Sequence, residues 1–345
     1  MTAQNQASAF SFDLFYTTVN AYYRTAAVKA AIELGVFDVV GEKGKTLAEI
    51  AKACNASPRG IRILCRFLVS IGFLKNAGEL FFLTREMALF LDKKSPGYLG
   101  GSIDFLLSPY IMDGFKDLAS VVRTGELTLP EKGVVAPDHP QWVTFARAMA
   151  PMMSLPSLLL AELADRQANQ PLKVLDVAAG HGLFGLAIAQ RNPKAHVTFL
   201  DWENVLQVAR ENATKAGVLD RVEFRPGDAF SVDFGKELDV ILLTNFLHHF
   251  DEAGCEKILK KAHAALKEGG RVLTFEFIAN EDRTSPPLAA TFSMMMLGTT
   301  PGGETYAYSD LERMFKNTGY DQVELKAIPP AMEKVVVSIK GKAQL

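Results

Sequence analysis

The sequence predicts a mainly α winged-helix domain followed by an α/β domain, whose mostly parallel sheet carries an antiparallel terminal strand. Three observations carry this reading. Residues 11 to about 165 place apolar side chains at helical spacing, interrupted by one short hairpin. From Lys173 onward the pattern becomes strand, helix, strand, helix, which yields a parallel sheet with helices on both faces. Gln322–Ile328 and Lys334–Ile339 then read as strands joined by 329–333, a loop too short for a crossover helix, so the last strand runs antiparallel to its neighbour.

The helical part begins with an apolar stretch from Phe12 to Leu34 that stops at Gly35. Thr46 with Glu49 forms a capping box, and Ser57-Pro58 opens a second helix running through Ile61, Leu64, Phe67, Leu68 and Ile71 to Gly72. Leu74–Leu83 follows as a hairpin. Arg59, Arg62 and Arg66 on the second helix would be phosphate contacts if the module bound DNA. A formal net charge of −2 favours a packing and dimerisation module instead. The apolar stretches Phe12–Leu34 and Ile103–Val122, both expected to be helical, need a partner surface that a homodimer supplies.

The 345 residues have ordinary hydrophobic and charged fractions, leaving room for two cores. No global basic excess points to nucleic acid. Met1–Gln6 is polar, no apolar run approaches membrane-spanning length, and Cys54, Cys65 and Cys255 lack metal spacing, so a cytoplasmic protein with reduced thiols is expected. Apart from His248 and His249, the histidines at 139, 181, 196 and 263 are scattered, and no metal is expected.

Strands are expected at Lys173–Val177, His196–Leu200, Val222–Arg225, Val240–Thr244 and Val272–Phe277, with helices at Leu183–Arg191, Val205–Ala216, Glu252–Leu266 and Ser309–Thr318. The first strand runs into a glycine turn, Asp176-Val177-Ala178-Ala179-Gly180-His181-Gly182, and then a helix. Asp201 closes the second strand, giving the layout of a nucleoside-binding site. Gly180-His181-Gly182-Leu183-Phe184-Gly185 matches G-x-G-x-x-G, the mark of a dinucleotide site, which leaves a dehydrogenase as a minor reading. Asp176 before the turn is awkward beside a pyrophosphate, and Gly227-Asp228-Ala229-Phe230 brings a further carboxylate and an aromatic to the same sheet edge. An acidic cleft without a phosphate cradle suits S-adenosyl-L-methionine, whose sulfonium and amino groups are cations.

These motifs resemble the small-molecule O-methyltransferases that join a winged-helix dimerisation domain to a class I methyltransferase domain with a Rossmann-like sheet. The resemblance spans about Phe12 to Lys340. It implies a dimerisation domain over 1–100, a helical linker contributing to the substrate pocket over 101–165, and a cofactor domain over 166–345. The family's D-x-G-G-G-x-G turn has Ala178 and Ala179 for its first two glycines. Its ribose-binding acid falls on Asp201, and its Gly-Asp-Met-Phe on Gly227, Asp228, Ala229 and Phe230, with Asp228 and Phe230 flanking the adenine. The implied cofactor set is Asp176, Gly180, Gly182, Asp201, Trp202, Gly227–Phe230, Thr244 and Asn245.

The family's L-H-D-W-x-D-E run resembles Leu247-His248-His249-Phe250-Asp251-Glu252, and matching its Leu-His pair implies a general base at His248, with His249 where the family often has Asp. The run is one residue shorter, so a second register is open, and from the residues alone His249 is expected to cap the helix that starts near Asp251. An imidazole accepts a proton near pKa ~6.5, whereas a phenol stays protonated to ~10, so a base assists methyl transfer to a phenol. By the same resemblance Glu276 orients the base. The second carboxylate of the family's G-G-K/R-E-R-T falls near Glu304, offset by one residue and lacking the Arg. That offset leaves nitrogen or carbon acceptors open alongside oxygen. A winged-helix regulator sensing a small ligand is the reading from another class.

The acceptor, an aromatic or polyketide-like small molecule, is expected to meet Trp142, Phe145, Met149, Met152, Met153, Phe292, Met295 and Met296. A stripe of Met and Phe at helical spacing also suits a core, but Met294–Met296, three consecutive positions, cannot all face one. Residues Phe12 to Tyr23 would cap a partner's pocket, as dimer exchange does in relatives.

Overall fold

Asn20 splits the first apolar stretch of the chain: its side-chain amide donates to the Tyr16 carbonyl at 2.9 Å, competing for the helical acceptor. The computed structural model describes residues 12–130, 133–136, 138–165 and 169–341, so Met1–Gln6 lies outside the described residues. Two units separate, one ending at Ile103 and the other starting at Asp104.

In the first unit, α1 (Phe12–Val19), α2 (Ala21–Glu33) and α3 (Val36–Val40) precede β1 (Lys45–Thr46) and α4 (Leu47–Ala53). Then come α5 (Pro58–Ser70), β2 (Lys75–Ala77), β3 (Leu80–Phe82) and α6 (Arg85–Leu91). The Thr46–Glu49 capping box is present, and Ser57 Oγ accepts from Gly60 N with Pro58 in the first turn of α5. The hairpin gains an edge, because β1 pairs with β3 to give the order β1-β3-β2. Ile61, Cys65 and Leu68 of α5 pack with Val36, Phe37 and Ile50 in this unit's core. Along α1 and α2, Phe12, Leu14, Phe15, Tyr16, Val19, Tyr22 and Tyr23 are exposed.

Ile103–Val122 is not one helix but α7 (Ile103–Leu106), α8 (Pro109–Asp113) and the start of α9 (Leu118–Thr124). Ser108 caps α8 with Pro109 in its first turn, and Asp117 caps α9, so local caps override the apolar periodicity. The helix α10 (Gln141–Ala164) follows. Its 24 residues are long and apolar enough to cross a membrane, contrary to the expectation from the sequence. Here it is a core helix: Leu160, Ala161 and Ala164 pack with α-helical and strand residues of the sheet layer, and Arg147 makes two 2.8 Å bonds to Glu211.

The remaining elements are β4 (Leu172–Val177), α11 (Leu183–Arg191), β5 (Ala195–Asp201), α12 (Glu203–Ala216), β6 (Val222–Pro226), β7 (Leu238–Thr244) and α13 (Glu252–Ala265). They continue through β8 (Leu266–Glu276), α14 (Pro287–Thr299), α15 (Tyr308–Asn317), β9 (Gln322–Ala327) and β10 (Lys334–Ile339). Sheet order is β6-β5-β4-β7-β8-β10-β9, with β10 antiparallel to both neighbours. Two cores sandwich the sheet. One holds Phe184, Phe199 and Phe275, the other Leu243, Ile258, Met314 and Phe315. Strand order reverses between β4 and β7, and ligands of open α/β sheets bind outside the carboxyl ends at such a point.

Candidate active site

Beyond β4 the backbone turns through left-handed Ala178 (φ +53°), Gly180 (+57°) and Gly182 (+74°) before α11 begins. Gly182 allows that sign of φ, and a Cβ there would stand 3.0 Å from the Ala209 Cβ of α12. A Cβ on Gly185 would stand 2.5 Å from the Phe199 ring, so this glycine lets α11 lie flat on the sheet. Two of the three glycines of the sequence match therefore serve packing.

Asp201 ends β5 and takes two backbone donors at 2.7 Å, Gly180 N on Oδ2 and Trp202 N on Oδ1. Burial raises its carboxyl to about 6, against the pull of those two donors. Asp176, fully buried under the turn, accepts from Gly185 N at 3.0 Å through Oδ2, while Oδ1 has no partner among the described residues. Burial pushes Asp176 up to about 8, the Gly185 donor opposes this, and the Asp201 charge adds to it. His181 Nδ1 accepts from Leu183 N, the first residue of α11, at 3.1 Å, and burial lowers the ring to about 4.

A cleft of about 350 Å³ opens at the carboxyl ends of β4, β5, β6 and β7. Gly180, Asp201, Trp202, Gly227, Asp228, Ala229, Phe230, Thr244 and Asn245 line it. Asp176 and Gly182 lie behind the lining, the first anchoring α11 and the second packing on α12. Trp142 and Phe145 form the wall on the α10 side. Met149 and Met295 pack behind them in the same apolar cluster. Met153 lies beneath Asn245, whose amide is 3.7 Å from its sulfur, Met152 packs on the sheet core, and Met296 is buried. Met294 is exposed, so the three consecutive methionines do occupy different surroundings.

His248 and Glu276 come together from the ends of β7 and β8, joined by a short hydrogen bond between Nδ1 and Oε2. Glu276 Oε1 accepts from Phe246 N and Leu247 N, both at 2.8 Å, so one carboxylate holds the turn and the ring it carries. Phe292 of α14 stands edge-on to His248, with centroids 4.7 Å apart. Glu304 is exposed on the loop between α14 and α15. The buried carboxylate nearest in the sheet register is instead Glu333, which precedes Lys334, the partner of Glu276. Burial raises its carboxyl, and the charges of Glu276 and His248 act on it in opposite directions. No local motif marks Glu333; only the strand pairing brings it there. His249, Phe246 and Phe250 line the cleft as well, and the histidine turn was the signal that could have found them.

Among the described residues the lining contains Asp201 and Asp228 but no lysine or arginine, so these residues form no cradle for a pyrophosphate. At Gly180 a Cβ would meet nothing closer than 3.9 Å, which leaves backbone open to the cleft for a ligand to approach. These features fit a cationic nucleoside with free ribose hydroxyls flanked by aromatic rings. Sheet order and cleft together define a class I methyltransferase. The chain belongs to the O-methyltransferase family: the profile of the O-methyltransferase domain matches residues 135–321, and that of the O-methyltransferase dimerisation domain matches 16–93. It is 26% identical over 326 residues to a 3-hydroxy-5-methyl-1-naphthoate 3-O-methyltransferase of Streptomyces sahachiroi, covering 92% of each chain. A tetracenomycin polyketide synthesis 8-O-methyl transferase of Streptomyces glaucescens is also 26% identical, over 89% of this chain and 91% of that one. A solved structure of a candidate O-methyltransferase from Nostoc punctiforme superposes with a TM-score of 0.93 at 47% identity, covering 95% of this chain and 99% of that one. Human N-acetylserotonin methyltransferase in complex with S-adenosylmethionine shares the fold, with a TM-score of 0.82 at 21% identity over 98% and 99% of the chains. Family and fold indicate S-adenosylmethionine as the cofactor.

Proposed function

We propose that the protein transfers a methyl group from S-adenosylmethionine to a hydroxyl of a small aromatic or polyketide-like molecule, with His248 as the general base. The observation that carries this is the buried His248–Glu276 pair. When bound, the cofactor supplies a methyl group on a cationic sulfur. Glu276 accepts from Nδ1, which fixes the tautomer and leaves the Nε2 lone pair to receive the phenolic proton as the oxygen attacks. His248 is buried beside His249, with ring centroids 4.3 Å apart, and His249 lines the cleft together with Phe246 and Phe250, so the base adjoins the site. The relatives acting on a naphthoate and in polyketide synthesis support the acceptor class.

In this reading Asp201 binds the ribose, Asp228 and Phe230 flank the adenine, and Trp142 and Phe145 meet the acceptor. Residues 1–100 form the dimerisation domain, 101–165 supply the pocket helices, and 166–345 hold the cofactor. The exposed aromatic face of α1 and α2 supports a homodimer. Calorimetry with S-adenosylhomocysteine tests the cofactor site, and turnover of His248→Ala tests the base. A phenol acceptor is expected to lose about 10²–10⁴-fold. A loss of only a few fold on a phenol would remove His248 from the reaction.

A further inference from the structure

His249 sits beside the proposed base but does something different. Its Nδ1 is 3.1 Å from the Phe246 carbonyl oxygen. A carbonyl can only accept, so Nδ1 carries the proton and Nε2 is a bare lone pair. Among the described residues no group hydrogen-bonds that Nε2. The ring stands edge-on to Trp142, with centroids 5.2 Å apart at 75°, and lies 4.3 Å from the His248 ring. It forms part of a largely aromatic wall with Trp142, Phe145, Phe246 and Phe250. Burial first, and the neighbouring His248 second, hold its pKa well below the ordinary 6.5, so the ring is neutral. A helix-capping role is absent, since Asp251 caps α13.

An acceptor nitrogen fixed in such a wall discriminates among ligands, because one without a matching donor leaves it unsatisfied. We infer that His249 reads a second donor on the acceptor molecule, a hydroxyl or amino group adjacent to the hydroxyl that is methylated. Two vicinal substituents on one aromatic ring lie close enough together to address two imidazoles whose ring centroids are 4.3 Å apart, tilted by 39°. The substrate class is thereby narrowed to ortho-disubstituted aromatics of the catechol or aminophenol type. This narrowing rests on the methyl-transfer reading above, and His249 is its specificity-determining residue.

The test is calorimetric. The full chain, saturated with S-adenosylhomocysteine, is titrated with 2,3-dihydroxynaphthalene and with 2-naphthol. The native protein is expected to bind the diol about tenfold more tightly, the worth of one well-placed hydrogen bond. In His249→Phe, which keeps the ring and removes the acceptor, that ratio falls about tenfold towards unity. His249→Leu reads the same ratio should the Phe variant fail to fold. Equal affinities in the native protein, or a preference that survives in both variants, overturn the assignment. Absence of heat with S-adenosylhomocysteine while the diol preference stands overturns the methyl-transfer reading instead.

Discussion

Glu276 holds three hydrogen bonds with two oxygens, and two substitutions separate what they do. In Glu276→Ala the Phe246 and Leu247 amides lose their acceptor in a buried turn. Each unsatisfied donor costs ~1–3 kcal/mol, for a total of ~2–6 kcal/mol. In a unit of this size that lowers the melting temperature by about 5 °C or more. Glu276→Gln behaves differently. Its side chain can aim the carbonyl at the two amides and the NH2 at His248, or the reverse. The first arrangement satisfies both amides, whereas the second faces two N–H donors with an NH2 and leaves both unsatisfied, so the first wins by ~2 kcal/mol or more. An NH2 facing Nδ1 makes that nitrogen an acceptor and moves the ring proton to Nε2, where the base needs its lone pair.

Glu276→Gln is therefore expected to melt near the native temperature, to bind S-adenosylhomocysteine normally, and to lose ~10²–10⁴ in kcat on a phenolic acceptor. The nitrogen chemical shifts of His248 report the tautomer directly and need no acceptor. A Gln variant that retains kcat within about threefold, or whose Nδ1 remains protonated, would refute the reasoning.

Two further predictions follow from the buried acids. If Asp201, with its carboxyl near 6, accepts ribose hydroxyls only when ionised, S-adenosylhomocysteine binds about tenfold more weakly at pH ~5 than at pH ~7, and a flat calorimetric profile removes Asp201 from the ribose. Asp176 rises from 3.8 to about 8 on folding, so between those values the native state holds a proton that the unfolded state has released. Its contribution to stability is complete below the lower value and is lost at ~1.4 kcal/mol per pH unit as pH rises towards the upper one. Isosteric, neutral Asp176→Asn is expected to remove that slope, which denaturant titrations at several pH values measure; parallel native and variant curves would count against it.

The α/β half was legible because its periodicities are enforced by burial on both faces of one sheet. Val174, Leu175 and Val177 admit no other reading of β4, and the short connection 328–333 dictates the sense of β10. What the sequence misjudged lay where side chains compete locally with the backbone. Asn20 bonding back to Tyr16 and Ser108 capping a new turn each break an apolar run whose spacing alone spells one helix. Hydrophobic periodicity records which face is buried and is silent about where the axis bends.

The same distinction governs the site. Motif spacing points to residues on one turn, such as Gly227–Phe230, because a tight turn fixes its own geometry. It does not say which member of a motif faces the ligand: Asp176 and Gly182 belong to the glycine turn yet serve helix anchoring and packing, while Ala178 takes a left-handed place beside the cleft. Carboxylates supplied from separate elements are harder still. Glu276 is reachable by counting along β8, but Glu333 reaches the same region only because Lys334 pairs with Glu276 across an antiparallel ladder. The two adjacent histidines are the limiting case. One is held by a carboxylate and the other by a carbonyl, so identical side chains at consecutive positions acquire different tautomeric anchors and, on the present reading, different work: one nitrogen to take the proton, the other to choose the molecule that gives it up.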